Sequence, residues 1–139
     1  MFAIVLGLML ISGAAHSHSM GPGEQIVWSF ESKRYVEMDF QMFNYRKDIE
    51  KFQIQVFDFE TRERLEFGSV HRIFFLKQNE KIKLKIFMEK EVAENRSVLV
   101  CTKSMTLENE IQSSITTVIC GKVETKNYES ISNILSVDP

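Results

Sequence analysis

"KIKLKIFME", residues 81–89, alternates charged and apolar residues with one departure, Phe87. Ile82, Leu84, Ile86 and Met88 fall on one side of an extended chain, and Lys81, Lys83 and Lys85 fall on the other. A helix would need apolar residues three and four apart, whereas successive side chains of a strand point to opposite faces. This stretch therefore reads as a half-buried β-strand, and the pattern extends in both directions. "YVEMDFQMF" (35–43) sets Val36, Met38, Phe40 and Met42 against Glu37, Asp39 and Gln41. "KFQIQVFDF" (51–59) sets Phe52, Ile54 and Val56 against Gln53 and Gln55. "EQIVWSF", "HRIFFLK", "RSVLVCTK" and "SITTVICGKV" add four stretches rich in β-branched and aromatic residues.

About seven strands at this spacing predict an all-β chain folded as an immunoglobulin-like β-sandwich, with a small barrel as the competing architecture. The strands A to G fall at 24–30, 35–43, 51–59, 71–77, 80–89, 96–103 and 114–124, with "RERLEF" as an extra short strand after C. Strands B and E are then antiparallel neighbours. A register in which paired numbers sum to 122 sets Glu37 opposite Lys85 and Asp39 opposite Lys83. Any even sum keeps the apolar and charged faces sorted. The Lys81, Lys83, Lys85 stripe then reads as a solvated sheet face paired with acids, in preference to an anion-binding patch.

The chain opens "MFAIVLGLMLISGAAHSHS", an apolar run from Phe2 to Ile11 followed by small residues. That is the pattern of a secretory signal peptide, and the run is too short to span a bilayer, which needs roughly twenty apolar residues. The expected organisation is a signal peptide and cleavage region at 1–19, one sandwich at 20–126 and a C-terminal tail at 127–139. The expected location is periplasmic or secreted. A net charge of −2 over 139 residues speaks against nucleic acid as a partner, because phosphate binding calls for a concentrated basic surface.

The chain has two cysteines, Cys101 in strand F and Cys120 in strand G. Consecutive antiparallel strands can bring such residues face to face at disulfide distance. Zinc would need about four ligands, and no histidine lies nearby in the sequence. A free reactive thiol does not suit an oxidising compartment. A Cys101–Cys120 disulfide is the expectation.

The stretch "RIFFLKQNEKIKLKIFMEKEVAENRSVLVCTKSM" resembles the N-terminal immunoglobulin-like domain of periplasmic pilus-assembly chaperones. In that family a strand ending Ile/Phe-x-Leu meets a short polar turn, a Lys/Arg-alternating strand and an acidic lead-in to strand F. In its long-loop branch a disulfide ties strands F and G, a placement that Cys101 and Cys120 match. The resemblance implies protein partners and an anchor for a partner's carboxylate, for which Arg34 and Lys122 are the nearest candidates. The family also carries a second domain, for which little chain follows Val123, and "CGKVETKNY" around Lys122 lacks its basic-aromatic signature.

Catalytic chemistry has no visible constellation. His71 is the one histidine expected inside the folded region, there is no Gly-rich phosphate loop, and Asp58 and Glu60 sit in a strand-turn context that predicts solvation. Asn95-Arg96-Ser97 is a glycosylation sequon if the source is eukaryotic. Cleavage after Ala15 would place His18 third from a free amine, an arrangement that can chelate copper. The expectation is thus a non-enzymatic, cofactor-free interaction domain, chaperone-like or part of a surface or secretion assembly, with a small-ligand or metal carrier as the alternative. Its partner would add a β-strand at the F–G edge, where Ile111, Ile115 and Ile119 alternate. The competing reading places Ile115 and Ile119 inward, in the core.

Overall fold

The protein's computed structural model describes residues 18–106 and 116–129. Among them the chain runs β1 (His18–Gly21), β2 (Glu24–Ser29), β3 (Tyr35–Asn44), β4 (Lys51–Asp58), β5 (Ile73–Phe75), β6 (Lys81–Glu89), α1 (Lys90–Ala93), β7 (Ser97–Met105) and β8 (Val118–Asn127). One sheet has the order β1–β3–β6 and the other β2–β8–β7–β4–β5. The architecture is an immunoglobulin-like sandwich. Its core is the set of side chains that alternation selected: Met38 and Met42 of β3, Leu84 and Ile86 of β6, Phe52 and Val56 of β4, and Val100 of β7 are all fully buried. Each contributes about 1.5–3 kcal/mol by leaving water.

The B–E register differs from the expected one by two residues. β3 and β6 pair with numbers summing to 124, so Asp39 lies opposite Lys85 and Phe40 opposite Leu84. The turn before β6 sets this. Asn79 takes a left-handed backbone, φ 66°, and its N–H donates to the Asn44 carbonyl at 2.7 Å, while Asn44 N–H donates to Glu80 O at 3.1 Å. That clamp places Lys81 opposite Phe43. Lys85 still reaches Glu37, now diagonally, at 3.0 Å. Its hydrogen bond holds the Glu37 carboxyl below its ordinary value, while partial burial, then the Glu37 charge, raises that of Asp39.

"RERLEF" does not form a strand. Asp58 Oδ1 accepts the N–H groups of Glu60 and Thr61, each at 2.9 Å, and Arg62 adopts φ 63°. The chain folds back so sharply that a single bridge, Phe57 to Arg64, remains. Asp58 is accordingly buried rather than solvated, and it also meets Arg96 at 3.4 Å. Those N–H bonds, first of all that of Thr61, hold its carboxyl below the ordinary range.

The third difference is β1, a strand at residues read as part of a cleavage region. β1 pairs antiparallel with β3, from His18 opposite Asn44 to Gly21 opposite Gln41. After Pro22 and Gly23 the chain crosses to the other sheet, where β2 runs parallel to β8. Proline has no N–H to give to a ladder, which suits it to this break between sheets. The signal-peptide reading itself falls outside the described residues, apart from its last two positions, 18 and 19.

Candidate interaction site

β2 covers β8 from Lys122 to Asn127 and no further. The Lys122 N–H donates to Gly23 O at 2.8 Å, so the even-numbered residues of β8 turn their backbone groups toward this edge. On the other side Thr117 O accepts from Ser104 N–H of β7 at 2.9 Å, as the alternation requires. Val118 and Cys120 therefore present N–H and C=O groups along an edge that no described strand pairs with. The open segment leads back toward residues 107–115, which lie outside the described part of the chain.

The lower end of that edge is closed by the crossover. A Cβ added to Gly121 would sit 2.8 Å from Pro22 O and 2.6 Å from Phe40 Cε1. Glycine is needed here because backbone and ring approach where a side chain would stand.

Behind the edge lies a buried polar cluster. His18 is 1% exposed, and its Nε2 is 3.0 Å from Thr102 O and 2.8 Å from Thr102 Oγ1. A carbonyl can only accept, so Nε2 carries the proton and Nδ1 accepts from the Thr117 hydroxyl at 3.2 Å. Burial lowers the pKa of the ring, and the Arg46 charge adds to this, against the opposing effect of the Thr102 bond. Ser104 Oγ accepts the Thr117 N–H at 2.8 Å and Arg46 Nη1 at 3.3 Å. Arg46 in turn grips Asp48 through two bonds, at 2.9 and 2.7 Å, and its hydrogen bonding holds that carboxyl low. The cluster joins β1, the β3–β4 loop, β7 and the start of β8.

Cys101 and Cys120 are directly opposite in the β7–β8 ladder, with Cα atoms 4.0 Å apart, and they form the expected disulfide. The bond lies on the outer face of its sheet, since Val98, Val100, Thr102 and Ser104 of β7 are the buried set on the inner one.

The remaining sequence candidates are scattered. Ile119 pairs with buried Thr102 and is half-buried on the inner face. Ile111 and Ile115 lie outside the described residues. Lys122 sits 4.3 Å above the Phe59 ring and 3.4 Å from Glu124. Arg34 pairs with Glu89 at 3.2 Å across exposed surface. Lys122 lies opposite Glu24, the first residue of β2, whereas Arg34 follows the end of that strand. The strand between them spans roughly 17 Å at about 3.3 Å per residue, so the two cations do not converge on one anion.

His71 is not the one histidine of the fold, because His18 is the buried one. Both ring nitrogens of His18 are engaged, a seat incompatible with copper binding at that ring. Among the described residues no three His, Cys, Asp or Glu side chains converge as a metal site. No described helix is long and apolar enough to cross a membrane. His18 and Thr117 carry no periodic signal that would have exposed them. Gly121 does: a glycine inside a β-branched run marks a close backbone approach.

No protein-family model and no curated protein matches the sequence. Solved structures do. The E. coli chaperone DraB is similar with a TM-score of 0.62 at 14% identity, over 81% of this chain and 56% of that one. A structure of the Salmonella enterica SafA pilin in complex with the SafB chaperone gives 0.58 at 17% identity, over 81% and 55%. A PapD-like domain of human CEP192 gives 0.57 at 9% identity, over 91% of this chain and 96% of that domain. The chain thus spans just over half the length of the chaperone chains it matches, and nearly all of the human domain. At these identities the likeness establishes fold: the described chain is an immunoglobulin-like sandwich resembling the pilus-assembly periplasmic chaperones.

Proposed function

We propose that this protein is an exported, non-enzymatic interaction domain that binds a protein partner by β-strand addition along the first residues of β8. The observation that carries the reading is the open edge at Val118 and Cys120, whose backbone groups point away from β7 with no described strand beside them. An incoming strand would satisfy those groups, and its alternate side chains would supply specificity. The disulfide and the His18 cluster hold this edge in place before a partner arrives, which lowers the ordering cost of binding. The similar folds include a chaperone in complex with a pilin, which supports a chaperone-like role. The disulfide supports a periplasmic or secreted location.

The test is a pull-down from the native source with the unaltered protein and with Val118→Pro. Proline removes an N–H that points to the open edge and leaves the β7 ladder intact. The unaltered protein should recover a protein partner and the variant should lose it. Recovery of no partner by the unaltered protein defeats the reading, and equal recovery by both moves the contact away from this edge.

A further inference from the structure

The outer surface where β2 meets β3 is apolar to an unusual degree. Ile26 is 50% exposed, Trp28 42%, Phe30 38% and Tyr35 49%. With Phe87 they line an open groove of about 650 Å³ whose rim carries Lys33 and Arg34, and also Glu37, which is paired with Lys85. Contiguous exposed apolar surface of this kind marks a docking site rather than solvated face. It lies beside β2, on the other side of that strand from β8.

We propose that the groove is the seat of this chain's own C-terminal segment, residues 130–139, which are not among the described residues. The chain is delivered to it. Tyr128 packs on Phe30 with ring centroids 5.1 Å apart and edge-on to Trp28 at 6.4 Å. Glu129 then accepts the Glu31 N–H at 2.9 Å. The next residues are "SISNILSVDP", with Ile131, Ile134, Leu135 and Val137 as apolar anchors and Asp138 as the one charged side chain, opposite in sign to Lys33 and Arg34. Ten residues reach at most about 33–36 Å when extended, enough to run along the groove from its lip. Tethering gives the segment an effective concentration in the millimolar range, which a separate partner would have to exceed. The segment is therefore the occupant favoured at rest.

Trp28 is the single tryptophan of the chain, so its fluorescence reports on the groove alone. Three forms are compared: the 139-residue chain, a chain ending at Glu129, and the full chain carrying Ile134→Asp and Leu135→Asp together. Both altered forms keep every residue of the described fold, and circular dichroism confirms that each is folded. Docking predicts a red shift of the emission and a higher acrylamide quenching constant in both altered forms. If Trp28 in the full chain is quenched as readily as in the shortened one, the proposal is overturned and the groove belongs to a separate protein. It is equally overturned if the double substitution leaves the emission and quenching of the full chain unchanged.

Discussion

The middle of the sandwich and its β1–β8 end are held together by different physics. In the middle, β3 and β6 pair over nine successive residues, apolar against apolar on the inside, with a mixed polar and aromatic outer face on which Asp39 lies opposite Lys85. The stabilisation is non-directional and spread over many side chains. At the β1–β8 end the interior is polar: His18, Thr102, Thr117, Ser104 and Arg46 are joined by directional bonds, Arg46 also reaches the exposed Asp48, and a disulfide lies on the outer face. Such a network adds little net energy per bond, but it specifies one geometry, and leaving a member unpartnered is costly. The two designs suit two tasks. The middle supplies stability, and the polar end positions an edge.

This contrast can be broken from the strong side first. Leu84→Ala, at a fully buried position of β6, should cost about 2–5 kcal/mol, read by chemical denaturation. That is a large share of the roughly 5–15 kcal/mol available to a domain. A loss well under this range would mean that the β3–β6 core is loosely packed.

Reducing the disulfide acts on the other end. The bond closes a loop between residues 19 positions apart, and chain-entropy arguments give about 3 kcal/mol for a loop of this size. Reduction should lower the thermal midpoint and loosen residues 105–114 before the β3–β6 ladder, as hydrogen exchange would show. Iodoacetamide under denaturing, non-reducing conditions checks the premise: full labelling of both cysteines in protein from the native source would remove it.

Gly121→Ala presses the crossover off β8. Its Cβ would collide with the Phe40 ring and the Pro22 carbonyl, so about 1–3 kcal/mol of stability should be lost. The same change should displace β1 and β2 rather than β4, a pattern that amide chemical shifts would reveal. Uniform shifts across both sheets would contradict the local account.

The smallest expected effect is a pH dependence confined to the polar end. The folded state lowers the His18 pKa below its ordinary 6.5, with burial as the main cause and Arg46 as a lesser one. The stability tied to the neutral ring is thus complete above pH 6.5. It is lost as the pH falls from there through the lowered folded value. His18→Gln, which never charges, should remove this slope. The acid-side losses from Asp48 and Asp58, whose folded values are also lowered, should stay, because they fall below the ordinary carboxylate range. An unchanged slope between pH 7 and 5 in the variant would assign it elsewhere.

Much of the middle was legible in the sequence, and little of the polar end. Alternation in residues 35–43, 51–59 and 81–89 depends on chain geometry and water alone, so the positions of these strands and their faces can be read locally. The Cys101–Cys120 bond was legible for the same reason: two cysteines on successive strands with matching alternation must share a face. The candidate edge was legible only in outline, since the expectation of an open F–G edge did not locate where β2 stops covering β8.

What local pattern leaves open is whatever is invariant to a two-residue shift. The sums 122 and 124 sort faces equally well, and the choice was made by a turn, where Asn79 and Glu80 clamp onto Asn44. His18 belongs to the core only because Thr102 and Thr117, 84 and 99 positions away, satisfy its ring. A polar residue can be buried only with its partners in place, and partners that distant exist only once the chain has folded. By itself the sequence determined the long alternating strands β3, β4 and β6 and which side of each is wet. Register, the crossover at Pro22 and the edge left open on β8 were decided by tertiary structure, because each depends on a contact between segments that no local spacing encodes.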